Sequence, residues 1–208
     1  MDGARRIYGW LQGHPNSHAE PIVVRQHEVL AGHQEVGFFD LLEIRFIQHF
    51  RKQNISLQSL RKAAYNARRE LHLDHPFATS KAKYMTDRKE IFLHTAKEEN
   101  DKFLLNLMTN QIELYEVLED AFAKGVTFDP SSGIAQCWHP RPGDFPNILL
   151  NPRIAFGRPA IDKYHVPTKT LFTCWHAERC DYDAVADWYE VPKDLVKEAV
   201  QFEVAVAA

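Results

Sequence analysis

Histidine and cysteine are the residues here whose chemistry could be catalytic or metal-binding, and the chain carries eleven and three of them. Cys174, His176 and Cys180 fall together in "CWHAERC", and Cys137 and His139 share "CWH". Thiolates and imidazoles hold structural zinc, four to an ion. No CxxC or HxxxH pair occurs among these residues, however, and Cys and Trp in an apolar helix more often fill a core. His14 and His18 are four apart but lie in a proline-containing loop. His72 and His75 flank Asp74 at a helix end, where capping or surface positions are expected. GxSxG, Walker and dinucleotide fingerprints are all missing, and no carboxylate is grouped with a nucleophile. The expectation is a protein that is not an enzyme and takes no metal or cofactor.

What the residues do offer is electrostatic. From Ile44 to Arg69 there is no acidic residue, while the same window holds Arg45, Arg51, Lys52, Arg61, Lys62, Arg68 and Arg69. Phosphate backbones are met by such clusters, because neutralising a phosphate releases condensed counterions. The plainer alternative is a solvated helix face. Further along, the sign reverses. Glu98, Glu99, Asp101, Glu113, Glu116, Glu119 and Asp120 are followed by Asp181, Asp183, Asp187, Glu190, Asp194, Glu198 and Glu203. Acidic surfaces repel phosphate and suit protein contact.

Helices must position most of this chemistry. "MDGARRIYGWLQG" reads as a short helix stopped by Gly13. "PIVVRQHEVL" reads as a strand. Leu42, Phe46 and Phe50 recur every four residues in "FFDLLEIRFIQHFRKQN", with Asp40 early and Arg51 and Lys52 late, as the helix dipole favours. In "SLQSLRKAAYNARRELH", Ser56 is a candidate N-cap and Leu57, Leu60, Ala64, Ala67 and Leu71 form the buried stripe. Arg61, Lys62, Tyr65, Arg68 and Arg69 share the adjoining face. "YMTDRKEIFLHTA" reads as a hairpin turning at Asp87-Arg88-Lys89, and residues 97–124 as acidic helical segments. Residues 125–150, rich in Pro and Gly, suit a boundary between domains. Three more helices are expected in "PTKTLFTCWHAER", "DYDAVADWYE" and "PKDLVKEAVQFE", with Pro167 and Pro192 in first turns and Asp181 as a cap. Ala186, Glu190 and Val196 have the spacing of a helix-turn-helix, with Glu190 where a glycine usually turns the chain. The acidic last helix suits packing or protein contact and not base reading.

A chain of 208 residues, 45% hydrophobic and 25% charged, can bury a sizeable core. Its net charge of −3 decides nothing about nucleic acid. It holds no apolar run long enough for a bilayer and no leader pattern, and its odd cysteine count fits a reducing compartment, so a soluble cytoplasmic protein is expected.

The stretch "NPRIAFGRPAI" at 151–161 fits none of these chemistries. Phe156 and Ile161 can face a core, Gly157 permits a backbone turn, and Pro159 extends the chain beyond it. It reads as the entry strand and hinge of a C-terminal domain.

Residues 147–203 resemble the domain of unknown function four-three-three. The resemblance rests on Asn151-Pro152, Phe156-Gly157, Pro159, Ile161, Val166-Pro167-Thr168, Trp188-Tyr189, Val191-Pro192 and Ala199 to Phe202, in order and at the expected separations. "GFFDLLEIRFIQHFRKQNISLQSLRKAAYNARRELHLDHPFAT" and "MTDRKEIFL" are similar to the helix pair and hairpin of longer members, VapB-type antitoxins with a MerR-like winged helix-turn-helix. Family members carry a helix and turn ahead of a recognition helix like "ARRIYGWLQG", whereas here Met1 directly precedes it.

The resemblance implies a mainly α fold with short β-hairpins. It implies a winged-helix-like DNA-binding domain over 1–128 and a helix-turn-helix-like antitoxin domain over 129–208. It also implies a homodimer that represses its own operon and silences a PIN-type ribonuclease toxin, without catalysis. Arg5 and Arg6 would join the basic window on operator DNA. Phe156, Gly157, Pro159 and Pro167 are the structural signature. The resemblance does not supply the toxin contacts; Arg153 and Arg158 are candidates by charge, the alternative being that they pair with the acidic last helices. The alternatives are a MerR-like ligand-sensing transcriptional regulator without a toxin partner, and a zinc-binding interaction module.

Overall fold

The computed structural model describes residues 2–13, 21–28, 35–80, 89–118 and 125–207. The fold is mainly α with short antiparallel strand pairs. The chain divides into two compact units, one of residues 1–123 and 128–135, the other of 124–127 and 136–208.

The first unit holds helices α1 (Asp2–Gln12), α2 (Phe38–Lys52), α3 (Leu57–Leu71), α4 (Lys89–Glu98), α5 (Lys102–Thr109) and α6 (Gln111–Leu118). Leu42, Phe46 and Phe50 put one face of α2 wholly inside. Phe46 stacks on Phe50 at 4.1 Å and on Phe77 at 4.3 Å between ring centroids. Phe92 of α4 meets Phe46 and Phe77 edge-on, at 6.1 and 5.7 Å. Leu60, Ala63, Ala64 and Ala67 bury the facing stripe of α3, where small residues leave room for this aromatic group. Leu57 and Leu71, expected in that stripe, are only half-buried at its two ends. The Ser56 hydroxyl caps α3 by accepting from the Ser59 N–H at 2.9 Å. Asp101 latches two helix starts at once. It accepts from the Leu104 N–H on α5, and from the Ser56 N–H and Ser59 hydroxyl at the start of α3.

Two sequence expectations are corrected here. The hairpin predicted in "YMTDRKEIFLHTA" is helical from Lys89 onward, as α4. Ile91, Phe92, Thr95 and Ala96 are all buried. Their i, i+1, i+4, i+5 spacing makes one helical face, whereas strand alternation would send Phe92 away from Ile91. Of the turn predicted at Asp87-Arg88-Lys89, Lys89 opens α4 and the other two residues lie outside the described ones. "PIVVRQHEVL" is not a strand over its described part, 21–28. Ile22 and Val23 are both fully buried, and both N–H groups donate to the Trp10 carbonyl, so no ladder partner is left for them. The proline-containing loop expected around His14 and His18 lies outside the described residues.

In the second unit, β3 (Ile148–Leu149) pairs antiparallel with β4 (Ala160–Ile161) in the register Ile148↔Ile161. Strands β1 (Val126–Phe128) and β2 (Ala135–Trp138) pair with one another. Helices α7 (Thr168–Ala177), α8 (Tyr182–Tyr189) and α9 (Lys193–Ala207) close over Ile148 and Ile161 with Leu171, Val185, Val191, Val196, Ala199 and Phe202. Pro167 stands at the N-cap of α7, and its carbonyl accepts from Thr170 and Leu171. Asp181 caps α8 as expected, accepting from Asp183 and Ala184. Glu190 turns the chain between α8 and α9 in the left-handed region (φ 52°), the conformation for which glycine is usually chosen. The Val191 N–H closes that turn on the Ala186 carbonyl.

Candidate functional site

The basic window lies on α2 and α3, and tertiary contacts sort its members. Arg68 is turned inward: it donates to the Ile22 carbonyl at 2.8 Å and ties α3 to the segment after α1. Arg45 is half-buried and carries a guanidinium nitrogen with no solvent exposure. Arg51 is exposed but holds the Ile55 carbonyl, fastening the α2–α3 turn. Lys52 and Arg69 are exposed, and Arg61 and Lys62 half-buried. Arg69 lies 4.0 Å from Glu70, with its guanidinium 5.8 Å from the centre of the exposed Tyr65 ring. Lys62, Tyr65 and Arg69 are spaced i, i+3, i+7 and therefore share one face of α3. This cation–aromatic–cation strip is suited to a phosphate backbone. Arg5 and Arg6 lie on α1, with side chains outside the described ones.

The charge division of the sequence does not follow the two units. Acidic α6 belongs to the same unit as the basic helices. Two carboxylates of α9 face their own unit: Glu198 accepts from the Asn147 backbone and side-chain amides at 2.8 Å, and Glu203 from the Thr168 hydroxyl. Asp181, Asp183, Asp187, Glu190 and Asp194 are the exposed acids of this region.

A buried ionic group under α2 went unread in the sequence. Asp40 is fully buried and accepts the Gly37 N–H at 2.8 Å and the Gln26 N–H at 3.1 Å. Glu43, also fully buried, accepts the Phe77 N–H and places its other oxygen 3.7 Å from His75 Nδ1. Burial pushes the Glu43 carboxyl up, and His75, the Phe77 N–H and Arg68 offset this only in part. His75 is thus neither a cap nor a surface residue: its side chain is 14% exposed and its ring stacks on Phe39. His72, by contrast, is exposed and ends α3 in the left-handed region. Glu43 and His75 are 32 positions apart, so no local pattern announces the contact. With the carboxylate fully buried and the imidazole mostly so, the pair fastens the 75–77 segment to α2.

Among the described residues, no three His, Cys, Asp or Glu side chains gather as metal ligands. Cys137 and Cys174 are half-buried and Cys180 is exposed, all as free thiols. His14 and His18 lie outside the described residues.

"NPRIAFGRPAI" contains the sharpest local departure from expectation. Ala155, Phe156 and Gly157 are all left-handed, with φ of 48°, 57° and 78°. The turn lifts Phe156 off the core, leaving it 98% exposed, while Ile161 is buried in β4 as expected. Left-handed backbone at Phe156 costs about 1–2 kcal/mol, since Cβ crowds the following carbonyl. Hydrogen bonds on both sides hold it: Ile154 N–H to Asn151 O, Gly157 N–H to Ile154 O, and Thr168 N–H to Pro159 O. Arg153 and Arg158 flank the ring, both exposed. Neither makes an ion pair with the acidic last helices among the described residues.

No family profile matches the chain, and no curated protein does. Its structure is similar to the crystal structure of Rv2018 from Mycobacterium tuberculosis, with a TM-score of 0.64 at 20% identity over 94% of this chain and 90% of that one. At that identity the likeness is one of fold. No helix among the described residues is long and apolar enough to cross a membrane.

Proposed function

We propose that the protein is a DNA-binding antitoxin of the VapB type that represses its own operon as a homodimer and neutralises a PIN-type ribonuclease, with no catalysis of its own. The observation that carries the reading is the Lys62–Tyr65–Arg69 strip, a half-buried lysine, an exposed ring and an exposed arginine on one face of α3, while Arg68 of the same helix is spent inside the fold. Lys52 adds an exposed cation at the end of α2. Such a strip supplies backbone contact without base readout. The ribonuclease would meet the second unit, where Arg153 and Arg158 offer cations to a carboxylate-lined site.

Fluorescence anisotropy with the DNA upstream of the protein's own gene tests the first half. Lys62→Glu with Arg69→Glu should weaken binding equally on specific and random duplexes and flatten the log–log salt slope by about 2. An unchanged slope removes α3 from the interface. Inhibition of a ribonuclease encoded beside this chain tests the second half, and no inhibition at stoichiometric protein ends the antitoxin reading.

A further inference from the structure

The second unit carries two sets of exposed side chains that its own fold does not satisfy. One is the turn at Phe156. A large aromatic ring stands 98% exposed on three consecutive left-handed residues, with Arg153 and Arg158 on either side. A flexible loop tip would need no such geometry. Here the backbone is closed by hydrogen bonds at its base and anchored through Pro159 to the start of α7, so the ring is held out by construction. Strain of this kind persists where the surroundings over-determine it, and it clusters at sites of recognition.

The other set lies on α8. Trp188 is 71% exposed, while its neighbours Val185 and Tyr189 turn into the core. Asp187 and Glu190 stand exposed beside it, and neither has an ion-pair partner among the described residues. Asp183, one turn earlier, is already neutralised by Lys193.

The two sets are complementary. One presents an aromatic ring between two cations, and the other an aromatic ring beside two anions. We propose that the Phe156 turn of one copy docks on the Trp188 face of α8 in a second copy, with Arg153 and Arg158 opposite Asp187 and Glu190. A two-fold axis makes the contact twice, turn to helix and helix to turn. Aromatic residues and arginine are the groups that carry interface energy when they enter a desolvated contact, and exposed charge pairs around them add specificity. The contact does not rest on the antitoxin reading, and it gives Arg153 and Arg158 to the second copy in place of the ribonuclease. It gives the repressor dimer a surface if that reading holds, and it survives if the protein binds neither DNA nor ribonuclease.

Sedimentation equilibrium of the full chain tests it, with circular dichroism to confirm that each variant folds. The wild type should be a dimer. Phe156→Ser should raise the dissociation constant about thirtyfold or more, as loss of a central aromatic anchor does. Charge reversal is the stricter arm. Arg153→Glu with Arg158→Glu should give a monomer, and so should Asp187→Lys with Glu190→Lys. Mixed one to one, the two reversed chains should pair, because both contacts are then attractive while each homodimer is doubly repelled. A monomeric wild type overturns the proposal. So does a dimer indifferent to Phe156→Ser, or a mixture of reversed chains that stays monomeric. A Phe156→Ser chain that stays dimeric but no longer inhibits a ribonuclease assigns the turn to the toxin instead.

Discussion

Replacing Phe156 by Asn should make the second unit more stable, against the usual outcome of removing a large apolar residue. Burial normally decides such a change, since a Phe side chain taken from a core costs about 3–5 kcal/mol. Here that term vanishes: the ring is 98% exposed, and no aromatic or core partner surrounds it among the described residues. What remains is the backbone. Phe156 sits at φ 57° and ψ 33°, where an ordinary side chain pays about 1–2 kcal/mol and Asn, which bonds locally in that region, pays less. Asn also avoids the extra unfolded-state entropy that would cancel much of the gain from Gly. The expected net gain is about 0.5–1 kcal/mol. A domain of this size melting on its own shifts by about 4–8 °C per kcal/mol, so the transition should rise by a few degrees. Near-ultraviolet circular dichroism during heating follows it through the tryptophans of α7 and α8. A fall in stability of 1 kcal/mol or more would refute the reasoning, because it would mean that the ring packs against this unit. Stabilisation together with loss of self-association would mark the residue as held in place for contact.

Two buried or latched carboxylates give further tests with opposite pH signatures. Glu43→Gln keeps an acceptor for the Phe77 N–H while removing a charge that burial disfavours, so it should equal or exceed the wild type in urea stability at neutral pH. The wild-type carboxyl is raised in the fold: its favourable contribution is fully present below the ordinary value of 4.5 and is lost as pH rises through the raised one. The margin of Gln over Glu should therefore narrow as pH falls through the raised value toward 4.5 and be smallest below it, and a margin constant with pH would refute the assignment. Asp101 is the reverse case. Partial burial raises its carboxyl, but the Ser59 hydroxyl and the Leu104 and Ser56 N–H groups outweigh this and lower it. Its contribution is present above the ordinary value of 3.8 and is lost as pH falls through the lowered one. Asp101→Ala should cost about 1–2 kcal/mol at neutral pH as two helix starts lose their acceptor, and the deficit should shrink in acid. A chemical denaturation series from pH 2 to 7 measures both.

Local chemistry determined much of this protein from the sequence. The 3.6-residue spacing of Leu42, Phe46 and Phe50 placed α2, Ser56 capped α3, Asp181 capped α8, and prolines set the starts of α7 and α9. These features depend on neighbours within one or two turns, so the chain order carries them. Tertiary structure decided what depends on distant neighbours. Whether 89–96 became strand or helix was settled by which residues Phe92 had to meet, and they come from α2 and the 77 segment. Which cations of the basic window remain outward was settled by where Ile22 and its carbonyl landed, since Arg68 is drawn to it and Lys62 and Arg69 are not. The pairing of Glu43 with His75 has no local signal at all. The hinge read in "NPRIAFGRPAI" was half legible. Gly157 and Pro159 announced a turn, but its direction came from β4 and α7 fixing the far end, and that direction put Phe156 in solvent and not in the core.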